Sequence, residues 1–207
     1  IDVSYYWHRS LTCAVVAGQF AATLEPQSRE EAFISGLLAD VGTIILAEAM
    51  PTDYASLAAQ YKPNGEPNLA RKEVALLGIS HGHASAVVLA HWQLPEMVCE
   101  AVNWHPWELD EADTSPLARL VGAADLLSKY LCDREPDLDR VVQVCCEISS
   151  NLHVTPERIC EILSQIEPQI TEFAQTLRIQ VPSLATCQKL IGVLRERVLE
   201  PQTMSIG

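Results

Sequence analysis

The chain has 207 residues, 48% of them apolar, enough to fill a sizeable core. Its 14 basic against 27 acidic residues leave a net charge of -13, with no clustered basic patch. That balance argues against nucleic acid and anionic membrane as partners. Seven cysteines lack Cys-x-x-Cys spacing and several sit in apolar runs such as Val142 to Ile148, as reduced core thiols do. No uninterrupted apolar run approaches the roughly 18 residues of a membrane-spanning helix. Ile1 opens no signal peptide, so a cytoplasmic location is expected, and a start without Met suggests a piece of a longer protein.

Helical periodicity dominates and no alternating run makes a convincing strand, so the expected class is all-α. A first helix is expected from Val3 to Leu24, then a second capped by Ser28 with Glu30 and Glu31 in its first turn. The second should turn Phe33, Leu37, Leu38 and Val41 inward, and the apolar run Thr43 to Met50 should be buried. Pro51 should start a helix ending near Tyr61, before a loop from Lys62 to Asn68. Helices are then expected at Leu69 to Leu77, His81 to Trp92 and Pro95 to His105, with Gly78 as a stop and Ser80 as a cap.

The acidic stretch Trp107 to Thr114 reads as a loop, and Pro116 opens a helix through Leu131. Leu138 to Leu152, Pro156 to Leu177 with a kink or break at Pro168, and Leu184 to Leu199 complete the set. In the last, Leu184, Leu190 or Ile191, Leu194 and Val198 form a narrow apolar stripe. Such a stripe suits a docking helix or short coiled coil, or a terminal helix packed on its own domain. The expected division is residues 1–135 as a helical core and 136–200 as an extension, packing on that core or linking to a partner.

In chain order, Trp7-His8-Arg9-Ser10, Gly36 to Gly42, Leu77 to His81, Trp92 to Pro95, Ala101 to His105 and Ala123-Ala124-Asp125 resemble the HDOD family. These are HD-related output domains of bacterial signalling proteins, and the resemblance covers about residues 3 to 131. It implies a multi-helical bundle related to HD and HD-GYP phosphohydrolases, with additional C-terminal helices here. It also implies an N-terminal helical lobe before Trp7, which these residues do not include. The apolar surface that lobe would cover would be met by a homodimer contact.

HD enzymes bind divalent ions through histidines and aspartates, and the ion lowers the pKa of a bound water that attacks phosphorus. Carried over to this chain, the resemblance places the first histidine of the frame at Arg9, with His8 one position away and about 100° around the helix. The next histidine falls on Ala39, while its aspartate is kept as Asp40. His81 and His105 stand where further ligands are expected, and Asp125 matches the distal aspartate. His8, Arg9, Asp40, His81, His105 and Asp125 are therefore the residues of a remnant pocket, and Asp40, His81, His105 and Asp125 the set that would hold a metal.

Each has a structural alternative. Asp40 and Asp125 could pair with Arg9 in place of an ion. His81 could be a helix-start side chain hydrogen-bonded to backbone, and His105 a capped or core histidine. His83 and His91 lie at other helical angles and read as surface or structural. No nucleophile elbow or Gly-rich phosphate loop is present. The expected function is a noncatalytic signal-transduction domain, with no required cofactor, acting on a protein partner or neighbouring domain. The alternative is a residual metal-dependent phosphohydrolase acting on a nucleotide or cyclic dinucleotide.

Overall fold

A computed structural model describes residues 1–65, 68–106, 114–178 and 185–199. The described residues are helical and contain no strand, so the fold is all-α. Trp107 and most of the acidic stretch after it, and Leu184 of the terminal stripe, lie outside the described residues.

Helix α1 (Val3–Leu24) is the axis of the molecule. Every residue from His8 to Ala21 is buried, as expected of a helix without a polar face. Asp2 caps it by accepting from the Ser4 and Tyr5 N–H groups. A single 3-10 turn, Pro26–Ser28, leads into α2 (Arg29–Leu38). Ser28 is the N-cap residue but makes no side-chain capping bond. The inward face of α2 is Ala32, Ser35 and Gly36, with Phe33 only partly buried, because small residues let α2 lie directly on α1. A Cβ on Gly36 would come within 2.9 Å of the Cys13 carbonyl oxygen.

The chain bends at Ala39 and Asp40 into α3 (Val41–Ala49), where only Gly42, Thr43 and Leu46 are buried. The run Thr43 to Met50 is thus half-covered rather than buried throughout. Pro26–Ala49, taken as one stretch, is long and apolar enough for a membrane span by length and composition alone. The helix expected from Pro51 to Tyr61 reduces to one turn, α4 (Ala55–Ala58). Bonds reaching back three residues, such as Gln60 N–H to the Leu57 carbonyl, tighten this stretch and aim Tyr54 and Tyr61 inward.

Helices α5 (Leu69–Leu77), α6 (His81–His91) and α7 (Glu96–Trp104) follow. Gly78 ends α5 in the left-handed region at φ 76°, where a side chain would be strained. The Ser80 hydroxyl accepts from His83 N–H and starts α6.

Helices α8 (Pro116–Leu131), α9 (Leu138–Leu152), α10 (Pro156–Leu177) and α11 (Ala185–Leu194) complete the fold, and a π turn extends α11 over Arg195–Leu199. Pro168 lies inside α10 without ending it. One core runs from α1 and α8 into α9, α10 and α11, and both Leu190 and Leu194 are buried within it. All seven cysteines are free, and Cys146 alone faces solvent.

Candidate functional site

A buried polar cluster fills the space between α1, the α2–α3 bend, α5, α6, α7 and α8. Gly42 makes it possible. A Cβ there would lie 2.0 Å from the His81 carbonyl oxygen, so only glycine lets α3 approach the start of α6 this closely. Ser85 locks the approach, accepting from Gly42 N–H and donating to the Ala39 carbonyl, both at 2.7 Å. Asp40 stands at the N-cap of α3 yet makes no capping bond. Its carboxylate turns into the cluster instead.

There Tyr61 donates to Asp40 Oδ2 at 2.6 Å, and Arg9 Nε lies 3.2 Å from the same oxygen. Arg9 Nη2 donates to Asp125 Oδ1 at 2.6 Å. The guanidinium thus bridges two carboxylates, and its carbon sits 5.1 Å from the centre of the Tyr61 ring. Burial works against charge on Arg9, but Asp125 and Asp40 outweigh it and hold the guanidinium protonated. Burial likewise disfavours the Asp40 carboxylate, yet Arg9, His105 and His81 keep its pKa well below the usual range.

On the other side, the backbone N–H and Nδ1 of His81 both lie 2.6 Å from Glu73 Oε2. Tyr54 donates to Glu73 Oε1 at 2.5 Å. Burial pushes His81 toward neutrality, but Glu73 and then Asp40 raise its pKa to about 9. Burial also opposes the Glu73 charge, and His81 and Tyr54 outweigh it. His105, the C-cap of α7, directs Nδ1 at the Val102 carbonyl at 2.6 Å. The His81 and His105 rings meet edge to face at 5.3 Å. Their Nε2 atoms lie 3.5 and 3.7 Å from Asp40 Oδ1.

Of the residues expected from sequence, Arg9, Asp40, His81, His105 and Asp125 come together, and His8 does not join them. Adjacent to Arg9 on α1, His8 is rotated away and lines a separate cleft of about 620 Å³ with Tyr5, Cys132, Arg134 and Lys189. Burial pushes its pKa down to about 4. Asp125 serves Arg9 and is not part of the group in which Asp40, His81 and His105 present donor atoms within 4.8 Å of one another. His83 is exposed, 3.1 Å from Asn103. Glu73, Tyr54 and Tyr61 were not foreseen. The signal for Glu73 is an acid on the same helical face as Leu69, Ala70 and Leu77, where it is fully buried.

The comparisons decide the family. The family model described as HDOD domain matches residues 1–107, just over half of the chain. The chain belongs to the HDOD family. The HDOD match stops before Asp125, whose place beside Arg9 is therefore supplied by the structure. No curated protein matches the chain.

Among solved structures, this HDOD chain is similar to the MmoQ response regulator from Methylococcus capsulatus strain Bath, at 25% identity and TM-score 0.56. The match covers 78% of this chain and 61% of that one. It is also similar in fold to a putative signal transduction protein from Marinobacter aquaeolei VT8, at 19% identity and TM-score 0.56, over 91% of this chain and 39% of that one. An HDOD domain protein of unknown function from Geobacter sulfurreducens matches at 18% identity and TM-score 0.55, over 95% and 63%. The chain spans less than two thirds of the length of each.

The HD lineage implies divalent ions, and the ligand set of its phosphohydrolases does not fit here. Ala39 offers a methyl group in place of an imidazole, and the Arg9 guanidinium lies between Asp40 and Asp125, the two carboxylates such an ion would need. A buried cation cannot share that space without strong repulsion.

Proposed function

We propose that this HDOD chain is a noncatalytic regulatory domain of a bacterial, cytoplasmic signalling protein, acting through contacts with a neighbouring domain, a protein partner or a second copy of itself. The observation that carries this reading is the Arg9 bridge to Asp40 and Asp125. A tethered cation sits between the two carboxylates while offering no open coordination position at which a water could be activated. Two of the fold relatives bear signalling names, which supports the signalling part of the reading. The exposed apolar side chains Val87 on α6, Trp92 at its C-cap and Met97 on α7 supply surface of the kind protein contacts use.

The test is turnover. Purified protein incubated with bis(p-nitrophenyl) phosphate or cyclic dinucleotides, with Mn2+ or Mg2+, is expected to show no hydrolysis above the blank. Metal-dependent turnover abolished by Asp40→Asn would overturn the reading. It would establish instead the residual phosphohydrolase, which the convergence of Asp40, His81 and His105 favours.

A further inference from the structure

We propose that the cleft beside His8 binds a free zwitterionic amino acid whose apolar side chain ends in a hydroxyl, with L-tyrosine as its representative. None of Arg9, Asp40, His81, His105 or Asp125 lines this cleft. Binding there stands apart from the regulatory reading above, whereas the use of the ligand as an input signal rests on it.

Shape is the first argument. At about 620 Å³ the cleft is in the size range of small-molecule sites. Its walls are held by the fold itself. Asn64, in the left-handed region at φ 55°, donates its N–H to Asp133 Oδ1 at 2.6 Å and its Nδ2 to the Glu135 carbonyl at 3.3 Å. Asn64 Oδ1 accepts from Arg134 N–H at 3.3 Å. These three bonds clamp the turn that carries Pro63 onto the connection between α8 and α9, and both line the cleft.

Lining is the second. Tyr5, Leu131 and Cys132 are buried and give the cleft an apolar surface, which suits a side chain with an apolar body. His8 lines the cleft with them, and its Nε2 is buried without a hydrogen-bond partner. A protein interior rarely leaves such an atom unsatisfied. A hydroxyl both donates and accepts, so it pairs with Nε2 in either tautomer of the neutral ring.

Charge is the third. Arg134, Glu135 and Lys189 line the cleft and are exposed. No ion pair among the described residues engages any of the three. Asp2 and Asp133 also line it, but their carboxylates already accept from the backbone N–H groups of Ser4, Tyr5 and Asn64. Two uncommitted cations beside one uncommitted carboxylate match a ligand that carries both signs. Its carboxylate would meet Arg134 and Lys189, and its ammonium Glu135. Since Tyr5 and His8 belong to α1 and Lys189 to α11, the bound amino acid would tie these two helices together.

Equilibrium dialysis of the 207-residue chain against labelled L-tyrosine tests the site. Saturable uptake of one molecule per chain is expected. Tyramine, N-acetyl-L-tyrosine and L-phenylalanine lack the carboxylate, the ammonium and the hydroxyl in turn, and each should compete about tenfold more weakly or worse. Affinity should fall about tenfold or more in the double variant Arg134→Ala with Lys189→Ala and in His8→Phe, and persist in His83→Ala. Circular dichroism verifies folding, and if His8→Phe does not fold, the exposed pair and the three analogues decide. Absence of saturable uptake, equal competition by any of the three analogues, or affinity retained in the folded double variant overturns the site. Amide exchange in α11 slowed by L-tyrosine would support its use as a signal, whereas binding without that protection would leave the site standing and overturn the signal. Metal-dependent hydrolysis of bis(p-nitrophenyl) phosphate would overturn the noncatalytic reading and leave the site standing.

Discussion

Arg9 and Asp125, 116 positions apart in sequence, meet at 2.6 Å between Nη2 and Oδ1 and tie α1 to α8 inside the bundle. Asp40 shares the same guanidinium from the α2–α3 bend, so one side chain joins three elements.

Removing that side chain should be costly for stability. Arg9→Met leaves Asp40 and Asp125 facing each other as buried carboxylates, and breaking one member of such a cluster costs about 3–5 kcal/mol. Urea unfolding should show the midpoint fall by the corresponding amount with little change in slope. Arg9→Lys keeps the charge but cannot reach both carboxylates with a planar fork, so its loss should be intermediate. A surface ion pair such as Arg158 with Glu161 should cost less than about 1 kcal/mol when removed.

Two histidines should shape stability against pH in opposite senses. His8 has its folded pKa lowered to about 4 from 6.5. Its contribution is fully present above pH 6.5 and is lost as pH falls toward 4. His81 has its folded pKa raised to about 9 from the same 6.5. Its contribution is fully present below pH 6.5 and is lost as pH rises toward 9. Each limb amounts to about 3 kcal/mol at most. Unfolding free energies measured from pH 4 to 9 should therefore peak near neutrality. His8→Phe should flatten the acid limb and His81→Gln the alkaline limb.

Gly42→Ala should destabilise the fold by about 3 kcal/mol, since the new methyl meets backbone, the His81 carbonyl, rather than a movable side chain. A substitution that pushes α3 from α6 also lengthens the distances from Asp40 to His81 and His105. Thermal unfolding and the chemical shifts of the two imidazoles check both effects. Gly192→Ala, with nothing within 4 Å of the added atom, is the matched control.

Native-state alkylation should separate the cysteines. Cys146 is exposed, whereas Cys13, Cys132, Cys145, Cys160 and Cys187 are buried. Burial pushes the thiols of Cys132, Cys145 and Cys187 up to about 12, so few thiolates form at neutral pH. Brief iodoacetamide treatment followed by mass spectrometry should place the first label on Cys146.

The helical class and α1 from Val3 to Leu24 were legible in the sequence, because a long apolar run that stops at Glu25-Pro26 announces itself by its length and its end signal. So were α5, from Leu69 to Leu77 before Gly78, and α8, from Pro116 to Leu131, where the stop and start residues act locally. Tyr54 and Tyr61 were not, since the pull that breaks the expected Pro51–Tyr61 helix comes from Glu73 and Asp40 elsewhere in the chain. His8 and Arg9 show a similar limit. Adjacent residues, both buried, serve different cavities, and a spacing argument alone leaves which one faces Asp40 undecided.

The shared guanidinium also constrains how this chain can diverge. Replacing Arg9 strands two carboxylates in the interior, whereas losing Asp40 or Asp125 singly leaves the guanidinium with one carboxylate partner. Descendants that give up Arg9 must pass through a less stable intermediate or change a carboxylate with it. Arg9 and Asp125 should therefore drift as a pair, each predicting the identity of the other across relatives whose sequences otherwise agree little.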